Sequence, residues 1–384
     1  MGGRRIRRAG RLVGHPWRPA ARLRRRIERS AARRPEHAVT SHTPSLRLHI
    51  DREALAANWR ALDALSGEAR AGAAVKADCY GLGVSNCVPA LLEAGARDFF
   101  VAHWSEVAEL AKLVDPASIS VLHGPLTPDD ARYASEAGVR PVINSLTQAQ
   151  LWLEAGGGAC DLMVDTGINR LGMSLADIGE PLVGKLDVEV LMSHLACADE
   201  DGDENARQLA AFRQAIEIVP HRQLSLANSA GVALGADFAF DLTRPGLALY
   251  GGIPRPELGS KIAQVAFPQA AIMQIRDLSP GDRVGYNGEF TADRPMRSGI
   301  VSLGYADGFL RGWGARGALQ SRGRELPLLG KVSMDMVVVD LTNAPNLHEG
   351  DWLDVPYSLP EAAATSGLSQ YELLTVLGRR FARD

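Results

Sequence analysis

Cysteine is scarce in this 384-residue chain, and Cys79, Cys87, Cys160 and Cys197 form no CxxC pair. Scattered thiols at that density exclude a disulfide-stapled secreted fold and point to a reduced, cytoplasmic protein. No metal site is expected. No stretch reaches the roughly 18 consecutive apolar residues that a membrane helix requires, so no membrane association is expected. A GxxxxGK[ST] loop is also missing, which disfavours nucleoside triphosphate chemistry. No internal repeat is evident beyond a strand-helix rhythm.

Net charge is low at -3, but it is unevenly spread. Residues 1–40 hold thirteen of the 42 basic residues against Glu28 and Glu36, about +11, and the remainder has 29 basic against 43 acidic residues, or -14. An acidic body excludes nucleic acid as its partner. The arm has no apolar run for a secretory signal core, and a twin-Arg export signal needs an apolar segment where Arg7, Arg8 and Arg11 stand. Residues 1–44 are therefore read as an Arg-rich, disordered N-terminal extension. A solvated tail, a start assigned upstream of the true one and an organelle presequence all remain open.

The length exceeds what one core usually organises, and 46% hydrophobic with 23% charged residues is ordinary for a globular protein, so two domains are expected. From about residue 45, strand-like and helix-like stretches alternate. LRLHI at 46–50 leads into a helix with Leu55, Trp59, Leu62 and Leu65 on one face; strands follow at AAV, DFFVA, SISVL, VRPVI, DLMV, VEVLM and QLSLA. This predicts an α/β fold, an N-terminal (β/α)8 TIM-type barrel over residues 45–277. Past residue 270 come short strands with PGD, NG and EGD turns and no helical spacing until 370–377, which predicts a mostly β domain over 278–384.

In a βα barrel the reactive side chains follow the strand C-termini. The stretch AGAAVKADCYGLG, 71–83, reads as a buried strand ending on Lys76, with Tyr80 one turn beyond. An amine held there is partly desolvated, which favours the free base that attacks a carbonyl. Later strand ends carry Arg170 in DTGINRLG, His194, Asn228 with Ser229, and Arg244 before Pro245 and Gly246. Singly each has a plainer reading: a solvated lysine, a surface arginine, a core histidine or a helix N-cap. Together they suit one site, in which backbone N–H groups at Ser229 and Gly246 join the Tyr80 hydroxyl in an uncharged phosphate cradle.

AAVKADCYGLG, DTGINRLGMS, SHLACAD, LANSAG, RPGLALYGG, VSLGYADGFLR and GKVSMDM resemble, in that order, the motifs of the alanine racemase family. The likeness runs from about residue 45 to the C-terminus, and GYADG and SMD are particular to that family. It implies pyridoxal 5'-phosphate as cofactor, held covalently by Lys76, which would also act as the base on the D face of an amino-acid substrate. Tyr305 would be the base on the L face in a partner subunit's site, making a head-to-tail homodimer with shared active sites. A phenol used as a base needs cationic neighbours; His194 and Arg244 are implied as that support. Arg244 would also face the cofactor's pyridine nitrogen, where a guanidinium can only donate hydrogen bonds. Arg170 would bind the cofactor and the substrate carboxylate, and the Met334 N–H the carboxylate too. Tyr80, Asn228, Ser229, Gly246, Leu247 and Tyr371 would complete the cofactor site, Leu247 through its backbone.

The chain departs from many family members at Met163, where a carbamylated lysine would buttress the motif arginine; Arg170 is left to lean on a chloride, a water or another side chain. The implied activity is interconversion of L- and D-alanine by two bases, supplying D-alanine for peptidoglycan. A racemase of other or broader range, for serine or lysine, is the alternative enzyme. A pyridoxal phosphate carrier built from the barrel alone is the non-enzyme alternative, against which residues 278–384 argue. Related decarboxylases use a cysteine in the β domain, and no Cys lies beyond Cys197.

Overall fold

The structure, a computed structural model, describes residues 43–383. The extension expected over residues 1–44 lies outside the described residues but for its last two positions. The first helix among the described residues, Arg52–Leu65, starts where the Asp51 carboxylate accepts from the Ala54 N–H at 2.8 Å and buries Leu55, Trp59 and Leu62, the face its spacing predicts.

Strands Ala73–Ala74, Phe99–Val101, Ile119–Val121, Arg140–Ile143, Ala159–Met163, Asp187–Met192 and Gln223–Ser225 pair in parallel, in sequence order, as one seven-stranded sheet. Their residues are buried almost throughout, as strands covered on both faces must be. Closure comes from Leu242–Thr243, which pairs in parallel with Arg70–Ala71. The Gly72 N–H donates to the Thr243 carbonyl at 2.9 Å and the Arg244 N–H to that of Ala227 at 2.8 Å, so the eighth strand joins the first to the seventh. Gly72 is required at that seam: a Cβ there would lie 2.8 Å from the Phe100 ring.

The second part of the chain is mainly strands, organised on Ala266–Leu278. That strand pairs antiparallel with Leu46–Ile50, Met296–Val301 and Trp352–Asp354, and Met296–Val301 pairs in turn with Val337–Asp340. Three features differ from the sequence reading. Leu46–Ile50 does not open the barrel but joins this mixed sheet, also pairing in parallel with Ala382–Arg383. Its pattern explains why: Leu46, Leu48 and Ile50 are buried while His49 is exposed, the alternation of a one-sided sheet rather than the continuous burial of a barrel strand. Ala266–Leu278 also runs unbroken through the expected break at 277/278. A helix at Leu359–Ser366 precedes the expected one at Gln370–Thr375.

Candidate active site

Lys76 stands at the end of the first barrel strand, where the chain enters a left-handed turn. Ala77, Asp78, Cys79 and Tyr80 all have φ between 52° and 55°. Such a run of non-glycine residues costs roughly 1–2 kcal/mol each, so it persists only where its surroundings fix it. Here the Cys79 N–H donates to the Val75 carbonyl at 3.0 Å, Gly81 closes the turn onto Ala77 at 2.8 Å, and the Asp78 carboxylate accepts from Val84 at 2.7 Å. The turn carries Tyr80 into the barrel mouth, against the Tyr250 ring at 4.8 Å and near Tyr371 at 6.3 Å.

Lys76, Tyr80, Arg170, His194, Asn228, Ser229, Arg244, Gly246, Leu247 and Tyr371 line one cavity of about 520 Å³ at the strand C-termini. Every cofactor-site residue expected from sequence is therefore in one place. Ser229 opens a short helix, Ser229–Val232, capped by the Asn228 side chain on the Gly231 N–H at 2.9 Å. The Ser229 hydroxyl accepts from the Gly246 and Ala248 N–H groups at 2.9 and 3.1 Å, tying the two halves of the cradle together. Gly246 leaves room for the Tyr80 hydroxyl, because a Cβ there would overlap the hydroxyl oxygen unless the tyrosine shifted.

The cavity is cationic. Burial lowers the Lys76 pKa, and the Arg170 and Arg244 charges lower it further while Glu106 opposes them. That is the free-base tendency predicted for an amine at a buried strand end. Burial likewise pulls Arg244 down to about 10; its guanidinium donates to the Ser225 hydroxyl and the Ser193 carbonyl, both at 2.5 Å. Desolvation, then Arg244, Arg170 and Lys76, push His194 down to about 3, so its imidazole is neutral at physiological pH. An uncharged cradle, a weakly basic amine and a buried guanidinium suit an anionic aldehyde cofactor such as pyridoxal phosphate.

Arg170 is exposed at the cavity edge. Its backbone N–H donates to the Asp165 carboxylate at 3.1 Å, which also accepts from Gly167 and Asn169 and so shapes the loop. Met163 lines the same cavity, and its thioether is at most a weak, uncharged acceptor.

Tyr305 and Met334 do not line that cavity. They sit together elsewhere on the chain: the Tyr305 N–H donates to the Ser333 carbonyl and the Ala306 N–H to the Met334 carbonyl, both at 3.0 Å. Met334 is 52% exposed, with Met336 beside it at 47%, so this is an open apolar edge rather than core. The Arg311 guanidinium lies 5.4 Å from the centre of the Tyr305 ring.

Sequence reasoning missed Phe100, Ala102, Leu122 and His123 in the cavity wall, and Glu106 and Gln208 behind it. Gln208, fully buried, donates to the His194 carbonyl at 3.1 Å and accepts from the Ala196 N–H at 2.7 Å, holding the His194 segment. A signal for several of these was present, since Ala102, Leu122 and His123 directly follow the strands Phe99–Val101 and Ile119–Val121.

Comparison with known proteins follows the same outline. Residues 50–254 match the family described as alanine racemase, N-terminal domain, and residues 265–384 alanine racemase, C-terminal domain. The chain is 40% identical over 365 residues to an alanine racemase of Methylobacterium nodulans, covering 90% of this chain and 97% of the relative. A biosynthetic alanine racemase of Agrobacterium fabrum is 39% identical over 367 residues, covering 88% and 93%. Among solved structures, an alanine racemase from Bartonella henselae with covalently bound pyridoxal phosphate superposes with a TM-score of 0.83 at 32% identity, covering 89% of this chain and 99% of that one.

Proposed function

Because the chain belongs to the alanine racemase family, we propose that it interconverts L- and D-alanine with pyridoxal 5'-phosphate, acting as a head-to-tail homodimer in the cytoplasm and supplying D-alanine for peptidoglycan. The observation that carries this reading is the convergence of ten sequence-expected residues on one cavity, with Tyr305 and Met334 outside it on an exposed edge of the same chain.

When bound, the cofactor supplies a carbonyl carbon that takes up an amine and a conjugated ring that spreads the charge left as the α proton departs. Lys76 anchors it and, once freed by the substrate amine, accepts and returns the α proton on the D face at Nζ. Its lowered pKa keeps that nitrogen competent to do both. The Tyr305 hydroxyl of a second copy works the opposite face. Two bases on opposite faces are what inversion needs, since one base on one face returns the proton to the side it left.

Arg244, which lines the cavity, would face the pyridine nitrogen of a bound cofactor and, able only to donate hydrogen bonds, would keep that nitrogen unprotonated and so limit side reactions of the departing charge. Arg170 and the Met334 N–H take the substrate carboxylate. Tyr80, Ser229, Gly246, Leu247 and Tyr371 would hold the phosphate through neutral donors, and Asn228 sets the Ser229 turn.

The test is solvent deuterium incorporation into L- and D-alanine by wild type and by Tyr305→Phe, with the absorbance of the bound cofactor recorded on the same samples. Wild type is expected to label both enantiomers, and the variant to keep the cofactor band while losing exchange from L-alanine by about 10²-fold or more. A wild type that binds cofactor but labels neither alanine refutes the substrate assignment.

A further inference from the structure

We propose that Glu106 is the positioning residue for Lys76, its carboxylate clamping the left-handed turn that aims the amine into the cavity. This rests on the roles given to Lys76 and Tyr305 above. One carboxylate oxygen accepts from the Ala77 N–H at 2.5 Å, the peptide directly after Lys76; the other accepts from the Ala102 and His103 N–H groups, both at 2.8 Å. Three donors on two oxygens hold the side chain in one orientation.

The plain alternative is that Glu106 only closes the short turn Trp104–Glu106, where it pairs with the His103 N–H as a local cap. The Ala77 bond is not part of that cap. It crosses 29 residues in sequence and joins the end of the second barrel strand to the first left-handed residue of the next loop over. Without it, the Ala77 N–H has no other partner among the described residues, and a strained turn loses the tie at its start. Asp78 holds the far end through Val84, so Glu106 and Asp78 bracket the turn.

Charge adds to geometry. Of the groups that act on Lys76, Arg170 and Arg244 disfavour its protonated form, and Glu106 is the one that favours it. His123, in the cavity wall and edge-on to His103 at 4.2 Å, feels the same carboxylate. A base that must gain and lose a proton within each turnover needs such a counterweight in a cationic cavity. Glu106 does not line the cavity and acts on it through the turn that carries Lys76.

The experiment compares wild type with Glu106→Gln, which keeps the size and removes the charge and one acceptor. Cofactor-free full-length protein is mixed with pyridoxal phosphate, and the rate of covalent capture at Lys76 is read by borohydride reduction and peptide mass; loaded protein is assayed for deuterium exchange from each alanine, with thermal melting alongside. Capture and D-alanine exchange are expected to slow about tenfold or more, and L-alanine exchange, which uses Tyr305, by about threefold at most. Unchanged capture, or an equal loss from both enantiomers, overturns the proposal. If Glu106→Gln does not fold, Glu106→Asp, which keeps the charge and shortens its reach, is measured identically and judged by the same asymmetry. Should wild type capture cofactor yet exchange neither alanine, the alanine assignment fails while the capture rates still decide the role of Glu106.

Discussion

The barrel mouth and the Tyr305–Met334 edge are built in opposite ways. At the mouth, buried groups constrain one another: Arg244 is spent on Ser225 and Ser193, Ser229 on Gly246 and Ala248, and Tyr80 is wedged against Gly246. At the edge, the loops are tied by backbone bonds beneath while Tyr305 is half-buried and Met334 exposed. One region is complete within a single chain and the other faces outward. The contrast separates functions as well: damage to the mouth should cost cofactor, and damage to the edge should spare cofactor and cost one direction of proton transfer.

The sharpest way to break this contrast is Lys76→Ala set against Tyr305→Phe. Lys76→Ala removes the side chain proposed as both anchor and base, so activity should fall by about 10³-fold or more, and no mass adduct should survive borohydride reduction. Tyr305→Phe should keep that adduct in full. If both variants lose the adduct, or both keep it, the two regions do not divide the work as proposed.

A smaller effect is expected within the mouth at Gly246→Ala. The penalty is steric: the new methyl overlaps the Tyr80 hydroxyl oxygen and meets the Ala74 methyl at 3.3 Å. Tyr80 has to withdraw from the cradle, weakening cofactor retention by about tenfold as overpacking of a dense site commonly does. Equilibrium dialysis of pyridoxal phosphate measures it, and the exchange ratio between the alanines should not move. A changed ratio with normal retention would place the effect of Gly246 on the proton transfers instead.

How much of this was legible in the sequence follows from the same physics. Lys76, Arg170, His194, Ser229 and Arg244 could be found because strand ends in a barrel converge by geometry, and motif spacing named the rest. The assignment of Leu46–Ile50 to the barrel failed because strand and helix in alternation look alike whichever sheet the strand joins; only its partner, Ala266–Leu278, 216 or more residues away, distinguishes them. Glu106 escaped notice for a related reason. Its site-side partner is a backbone N–H 29 residues off, and a glutamate three residues into a turn reads as a cap. Left-handed residues 77–80 leave no signal at all, since none is glycine.

The mildest test lies on the edge, at Arg380→Ala. The Arg380 guanidinium donates to the Asp307 carboxylate at 2.6 Å and to that of Asp335 at 2.7 Å, joining the turn that carries Tyr305 to the residue after Met334. Asp307 is buried and accepts also from the Gly304 N–H at 2.9 Å, while Arg380 is half-exposed, so solvent can partly replace the lost cation. The expected cost is therefore about 1–2 kcal/mol rather than the larger penalty of a fully buried pair. Thermal melting should fall by a few degrees, about 2–4 °C for a chain of this size. L-alanine exchange should drop about threefold to tenfold as the Tyr305 loop loosens, with capture of pyridoxal phosphate at Lys76 unchanged. Arg380→Lys, which restores the charge but reaches one carboxylate at a time, should recover the stability and only part of the exchange. If Arg380→Ala slowed capture instead, the edge would be coupled to the barrel mouth, and the separation drawn between the two regions would fail at its weakest joint.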